Sequence, residues 1–364
     1  MTAFTDIDRV HLAHALALAE RGLYTTTPNP RVGCLIVKNE TVIGEGWHER
    51  AGMPHAEAVA LADARRRGIN PAGATLYVTL EPCNHSGRTQ PCVDAIIAAR
   101  IGRVVAAMPD PNREAAGGAQ RLLASGIDVA TGLLEDEARE LNLGFISRVT
   151  LGRPWVRIKV AASLDGRTAL ASGESKWITG EAARADGHRW RARACAILTG
   201  IGTVLQDDPQ LSVRAVPTPR QPRRIIIDRR AETPPSAKVL DGEGVLIVTA
   251  GPRNQKWPSH VEVLALPDPM GRIDLRALMR TLGKSGINEL HVEAGSKLNG
   301  ALLASEVVDE LLLYLAPCVL GDTARGIADI PIRSLSERVA LAYRDVATVG
   351  EDVRVVARIV RTKD

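Results

Sequence analysis

One spacing constrains this chain more than any other: His55-Ala56-Glu57, then Pro82-Cys83 with Cys83 26 residues beyond Glu57, then Cys92. For these groups to act together, separate segments must converge on one point. His55 follows Gly52-Met53-Pro54 and opens a helical pattern. Glu57 lies two positions on, so the two side chains diverge around the helix axis, one toward a metal and one beside it. Cys83 falls just past a strand pattern, Ala74–Leu80. Cys92 stands at the start of a second helix, where the dipole favours a thiolate. The expected meeting point is where helix N-termini face strand ends.

The donor set is one imidazole, two thiolates and one free carboxylate. It fits a zinc site with three protein ligands, an open fourth position, and a carboxylate that moves protons without binding the metal. Zn²⁺ with two thiolates and a neutral histidine is nearly neutral, so a bound water can ionise near neutral pH. The alternative is a closed structural site with His85 as fourth ligand; such a site has no use for Glu57.

At 364 residues the chain exceeds what one core usually serves, so two domains are expected. Thr150-Leu151-Gly152-Arg153-Pro154 is the best boundary, giving domains 1–149 and 153–364. In the first, residues 8–22 read as a helix, Arg31–Lys38 and Thr41–Trp47 as a hairpin, His55–Arg67 as a helix and Ala74–Leu80 as a strand. Pro91–Arg100 (helix), Arg103–Ala107 (strand), Ala115–Ser125 (helix), Ile127–Ala130 (strand) and Glu135–Ser147 (helix) follow. In the second, strands at 155–161, 196–200, 224–227, 245–249, 289–293 and 310–315 alternate with helices near 180–193, 273–283 and 298–305, and 339–360 suggests a closing hairpin. Strands alternating with helices imply an α/β layer architecture.

Five scattered cysteines do not form a disulfide framework and suit a reducing cytoplasm. The N-terminal apolar stretch is broken by His11, His14, Glu20 and Arg21, which reads as an amphipathic helix rather than a signal peptide. No apolar run is long enough to span a bilayer. A net charge of +4 is explained as well by anionic small substrates as by nucleic acid, and 3% aromatics argues against stacking single-stranded bases. The expectation is a cytoplasmic homo-oligomer acting on small molecules, with no nucleic-acid or membrane partner.

Eight residues separate Cys83 from Cys92, a departure from the Pro-Cys-x-x-Cys of nucleobase deaminases. With Thr27-Pro28-Asn29-Pro30-Arg31-Val32-Gly33, Gly52–Glu57 and Leu80-Glu81-Pro82-Cys83, this longer loop closely resembles the riboflavin-biosynthesis pyrimidine deaminases. The resemblance extends over the whole chain, to the bifunctional deaminase/reductases. It implies a cytidine-deaminase-like zinc domain with His55, Cys83 and Cys92 as ligands and Glu57 as proton shuttle. The substrate implied is 2,5-diamino-6-ribosylamino-4(3H)-pyrimidinone 5′-phosphate, attacked at C2 by zinc-activated water. Asn29 would hold the pyrimidine and Arg88 the ribose phosphate; otherwise Asn29 is a turn residue between prolines and Arg88 a solvated loop residue. His48 reads equally as a strand-end surface residue. The run Asp110-Pro111-Asn112-Arg113, followed by Gly117-Gly118, is one residue shorter than the family pattern. It is expected to alter a loop without touching the metal.

In the second half, Lys159–Thr168, Gly173–Thr179, Gly202–Pro209 and His291–Ser296 resemble the reductase partner of the same enzymes, with a dihydrofolate-reductase-like fold. From the residues alone, the turn Gly295-Ser296 is a helix N-terminus suited to an anion, and no Gly-x-Gly-x-x-Gly follows the first strand. The resemblance implies NADPH as hydride donor to C1′ of the opened ribose. Cofactor contacts fall by motif on Ala161, Trp177, Thr203, Asp207, Gly295, Ser296, Lys297, Leu298, Asn299, Gly300 and Ala301. Substrate contacts fall on Ser175, Arg191, Leu211, Arg214 and Glu293, the two arginines suiting a phosphate. Lys159 and Asp165 match polar positions near the reacting ribose, with the proton donor unassigned between them. Trp177 has a core alternative, Asp207 a turn or cap alternative, and Arg191 a solvated-helix alternative. Arg229 stands where the family often has a small hydroxyl residue.

Overall fold

The computed structural model describes residues 4–85, 90–251 and 256–361. The chain divides into two compact units, Met1–Gly152 and Arg153–Asp364.

The first unit contains α1 (Asp6–Glu20), β1 (Gly33–Lys38), β2 (Thr41–Trp47), α2 (Ala56–Arg66), β3 (Thr75–Val78), α3 (Cys92–Ala98), β4 (Arg103–Ala106), α4 (Gly118–Ala124), β5 (Asp128–Thr131), α5 (Glu135–Leu141) and α6 (Leu143–Leu151). Its sheet has the order β2-β1-β3-β4-β5, with β2, β1 and β3 antiparallel in turn and β3, β4 and β5 parallel. Leu35, Ile36, Leu76, Val78, Val104 and Val105 are fully enclosed between the sheet and its helices. The α1 start is fixed by a capping box: Thr5 Oγ1 accepts from the Asp8 amide and Asp8 Oδ2 from the Thr5 amide. Helix α2 lies close on β2 because Gly44 and Gly46 face it; a Cβ on Gly46 would stand 2.4 Å from the Ala56 carbonyl. This close approach sets the N-terminus of α2, with His55 as its cap residue, beside the end of the sheet.

The second unit contains β6 (Trp155–Ser163), β7 (Arg167–Ala169), α7 (Glu181–Arg193), β8 (Ala196–Gly200), α8 (Ile201–Asp207), β9 (Arg223–Ile227), β10 (Val245–Thr249), β11 (Val261–Ala265), α9 (Leu275–Lys284), β12 (Glu289–Val292), α10 (Ser296–Ala304), β13 (Glu310–Ala316), β14 (Arg325–Gly326), β15 (Leu341–Val349) and β16 (Asp352–Ile359). A nine-stranded sheet has the order β11-β10-β9-β8-β12-β6-β13-β16-β15. The strands from β11 to β13 run parallel, and β16 and β15 are antiparallel. The closing hairpin is therefore β15–β16, and β7 pairs separately with β14. In open parallel sheets ligands bind outside the strands' carboxyl ends, so that rim is where a site is sought.

Some local expectations are corrected. The helix expected over 135–147 is two helices, broken at Asn142, whose side chain bonds both the amide and the carbonyl of Arg31. That same contact occupies the Arg31 backbone, so β1 starts at Gly33 rather than Arg31. The helix expected from Ala115 starts at Gly118. Short elements β7, α8, β11 and β14 escaped the periodicity reading because a few residues carry too little pattern. No helix among the described residues is long and apolar enough to cross a membrane.

Candidate functional site

In the first unit, His55, Cys83 and Cys92 converge, their ligand atoms all within 4.8 Å of one another. His55 Nδ1 lies 3.5 Å from Cys83 Sγ and 3.3 Å from Cys92 Sγ. The Cys92 amide, first in α3, donates to Cys83 Sγ at 3.4 Å. Two sulfurs and one imidazole nitrogen facing a common point are donors that suit zinc, and three such ligands leave a fourth position open. A hydrogen bond with Cys92 lowers the Cys83 pKa, against burial and with help from His55, so Cys83 is the thiol favoured as thiolate. The bond to the Cys83 thiolate also raises the His55 pKa against burial.

Glu57 is 4% exposed and lies within hydrogen-bonding reach of the Cys92 thiol. Burial, reinforced by the Cys83 charge, pushes its carboxyl up to about 7. A carboxyl poised near neutrality both accepts and returns a proton.

His55, Glu57 and Cys83 line a cavity of about 380 Å³ with Asn29, His48, His85, Asp110, Asn112, Phe145 and Arg148. That is the size of a small-molecule pocket rather than a strand groove. Asn29 sits on the cavity wall. Arg88 falls outside the described residues. His48 is not a surface residue: it is 3% exposed, edge-on to the His55 ring at 5.4 Å. The shortened run at 110–117 adds no residue to the ligand cluster, but Asp110, Asn112 and Ala115 line the cavity and Ala115 packs with Cys83 and Cys92. Strand alternation held the signal for His48: Gly44 and Gly46 face α2, and His48 is next in the same series.

In the second unit, one face of the sheet beneath α7 carries charge. Glu293 takes both ends of the Arg191 fork, with Arg191 Nη2 to Oε2 at 2.8 Å, and Arg191 Nη1 donates to the Ser212 carbonyl at 3.1 Å. The fork assigned by sequence to a phosphate is thus engaged by Glu293, itself one of the expected substrate residues. Burial alone would raise the Glu293 carboxyl, but Arg191 beside it holds it well below the usual range. Lys159 Nζ lies 5.8 Å from the Tyr314 ring, and burial lowers its pKa. Asp165 accepts from the Ser163 hydroxyl and from the amides of Leu320 and Gly321, which hold its carboxyl at about 2. An anion so held ties two loops together and has no proton to give at neutral pH.

Trp177 is 72% exposed, not core, with the Arg184 guanidinium 4.6 Å from its ring. Thr203 and Asp207 lie on α8, directly after β8, and Asp207 pairs with Lys176 at 3.7 Å. Ala161 lies near the carboxyl end of β6. Gly295 is the cap residue of α10, and nothing would meet a Cβ there, so its backbone is open to a ligand. Asn299, in the first turn, has a buried Oδ1 without a hydrogen-bond partner among the described residues. An open helix N-terminus suits the phosphate of a dinucleotide, and an orphaned acceptor oxygen suits a hydroxyl or amide donor of the same molecule. Ser175 is half-buried on the segment before α7, Leu211 is buried at φ +49°, and Arg214 is exposed, bonded to Gln210 and Ser212. His188 was not anticipated; its Nδ1 accepts from the Arg214 amide at 3.3 Å, and burial lowers its pKa to about 4.

Residues 5–108 match the cytidine and deoxycytidylate deaminase zinc-binding region, and residues 154–355 match the RibD C-terminal domain. The riboflavin biosynthesis protein RibD of Escherichia coli (strain K12) is 47% identical, covering 95% of this chain and 98% of its own. That of Haemophilus influenzae is 45% identical over 97% and 98%. Among solved structures, Acinetobacter baumannii RibD (form 1) is 43% identical, with a TM-score of 0.89 over 98% of this chain and 99% of that one. The Thermotoga maritima diaminohydroxyphosphoribosylaminopyrimidine deaminase/5-amino-6-(5-phosphoribosylamino)uracil reductase is 34% identical, with a TM-score of 0.90 over 97% and 99%.

Proposed function

The chain belongs to the RibD family of riboflavin-biosynthesis proteins, and from that premise we propose how its residues divide the work. It is a bifunctional enzyme, a zinc-dependent deaminase joined to an NADPH-dependent reductase. The deaminase acts on 2,5-diamino-6-ribosylamino-4(3H)-pyrimidinone 5′-phosphate. The reductase converts the ribosyl group of the product, 5-amino-6-(5-phosphoribosylamino)uracil, to ribityl.

His55, Cys83 and Cys92 would hold the zinc, whose chemistry when bound is to acidify a water toward neutral pH. Glu57 takes a proton from the attacking water and hands it to the ring nitrogen beside C2, then carries the water's second proton to the departing amine, which leaves as ammonia. Asn29, fixed against His48, orients the pyrimidine. The observation that carries this reading is the convergence of the three ligand side chains beside a buried carboxyl in a small cavity. In the reductase, NADPH supplies the hydride when bound. The turn Gly295–Ala301, with Thr203 and Trp177, would hold it, and Lys159, Arg191 and Glu293 would orient the opened ribose. The five free cysteines support a reducing compartment.

The test follows ammonia release and NADPH absorbance together, with the diamino pyrimidinone ribotide and zinc-loaded protein. Equal release and consumption is the expected result. Zinc chelation should abolish ammonia release and spare reduction of pre-deaminated substrate. Parallel loss of both activities would overturn the division of labour.

A further inference from the structure

Glu81 immediately precedes Pro82-Cys83, is 8% exposed, and forms part of the cavity wall. Its carboxylate does not address the cavity chemistry: it is filled by backbone. Oε2 accepts from the Asp110 amide at 3.0 Å, and Oε1 accepts from the amides of Gly117 at 3.1 Å and Ala119 at 2.9 Å. Helix α4 has no side-chain cap of its own at Gly117, so Glu81, distant in sequence, provides it. The backbone reinforces the join, with the Glu81 amide on the Met108 carbonyl and the Asn84 amide on the Ala115 carbonyl, both at 2.9 Å. Gly118 rests directly on the Pro82 carbonyl, where a Cβ would stand 1.9 Å away.

The loop held in this way carries Asp110, Asn112 and Ala115, which form one wall of the cavity. It is also the segment whose length departs from the family pattern. We infer that Glu81 is a positioning residue for deamination, its carboxylate clamping the 110–119 loop onto the cysteine-bearing segment so that this wall is preformed when the pyrimidine arrives. A carboxylate is required because only two acceptor oxygens can serve both the loop start and the α4 cap. A glutamine offers one, and sets an N–H₂ against another N–H.

This inference rests on the deaminase reading of the cavity, and wild-type ammonia release checks that reading separately. The experiment compares E81Q with wild type for deaminase KM and kcat, zinc per chain, and reductase activity in the same full-length protein. A preformed wall that loosens should raise KM about tenfold and leave kcat within about threefold, with zinc and reductase activity retained. Gly118→Ala, which pushes the same loop from its other contact, should reproduce that KM-selective change. KM unchanged in both variants while wild type deaminates would overturn the inference. So would zinc loss in E81Q with KM intact, which would make Glu81 part of the metal site.

Discussion

The side-chain nitrogen of Asn29 lies 3.0 Å from His48 Nε2, and His48 Nδ1 lies 3.1 Å from the Pro54 carbonyl. A carbonyl only accepts, so Nδ1 carries the proton and Nε2 is the acceptor for the Asn29 amide. Burial lowers the His48 pKa and keeps the ring in this neutral form. The chain from Pro54 through His48 leaves the Asn29 amide in one orientation on the cavity wall, the orientation in which the proposed function has it meet the pyrimidine. His48→Phe fills the space but removes the acceptor. KM for the diamino pyrimidinone ribotide should rise about tenfold at constant zinc content. An unchanged KM would show that Asn29 is oriented by other means.

Glu57 is the sharper test of the deaminase assignment. It shares the cavity wall with His55 and Cys83 but contributes no ligand to the cluster of three. Glu57→Gln should bind zinc at wild-type stoichiometry and lose about 10²- to 10⁴-fold in the rate of ammonia release, the range for a lost general acid–base. Metal analysis and ammonia release on one preparation decide it: zinc lost along with activity would make Glu57 a ligand.

The metal cluster was legible because three ligand types and a carboxylate at these spacings leave few other uses, and because helix starts and strand ends are readable from Pro, Gly and periodicity. Asp110 was not, since it sits in a loop and only the packed fold shows which way it faces; His48 is reached only by carrying the alternation of Gly44 and Gly46 one residue past the end of β2. The pairing of Arg191 with Glu293 was equally hidden. Both residues were identified from motifs 102 positions apart, and no spacing rule states that they satisfy each other before a substrate arrives. Asn142 shows the same limit at the level of the fold: a helix pattern continues through it, and a long-range contact with Arg31 overrides the pattern.

The Arg191–Glu293 pair carries a prediction for the reductase. Glu293 faces Arg191 and, more distantly, Lys159, and it is the anion that balances them. Glu293→Gln leaves buried cationic groups without that charge. Breaking such a pair costs about 3–5 kcal/mol of stability. If Lys159 and Arg191 also orient the substrate, kcat/KM for NADPH-dependent reduction should fall about 100-fold while ammonia release is unchanged. Steady-state kinetics beside a denaturant titration separates the two effects; lower stability with normal kcat/KM would leave the pair a structural role only.

Asp8 gives a prediction in pH. Its side chain is 1% exposed, accepts from Arg103 at 2.7 and 3.1 Å and from the Tyr77 hydroxyl at 2.9 Å, and completes the cap of α1. Burial alone would raise its pKa, but the Arg103 guanidinium, the Thr5 amide and the Tyr77 hydroxyl together hold it well below the usual carboxylate range. A depressed folded pKa stabilises the fold above the unfolded value of about 3.9 and loses that contribution as pH falls toward the folded value. Asp8→Asn keeps the shape and removes the charge. Its destabilisation, about 3 kcal/mol at pH 7 for breaking a buried ion pair, should hold constant down to roughly pH 5 and shrink below about pH 4. Urea titrations of both proteins across that range measure it. A difference that persists undiminished at the acid end would mean that hydrogen-bond geometry at Asp8, rather than its charge, holds α1 to the sheet.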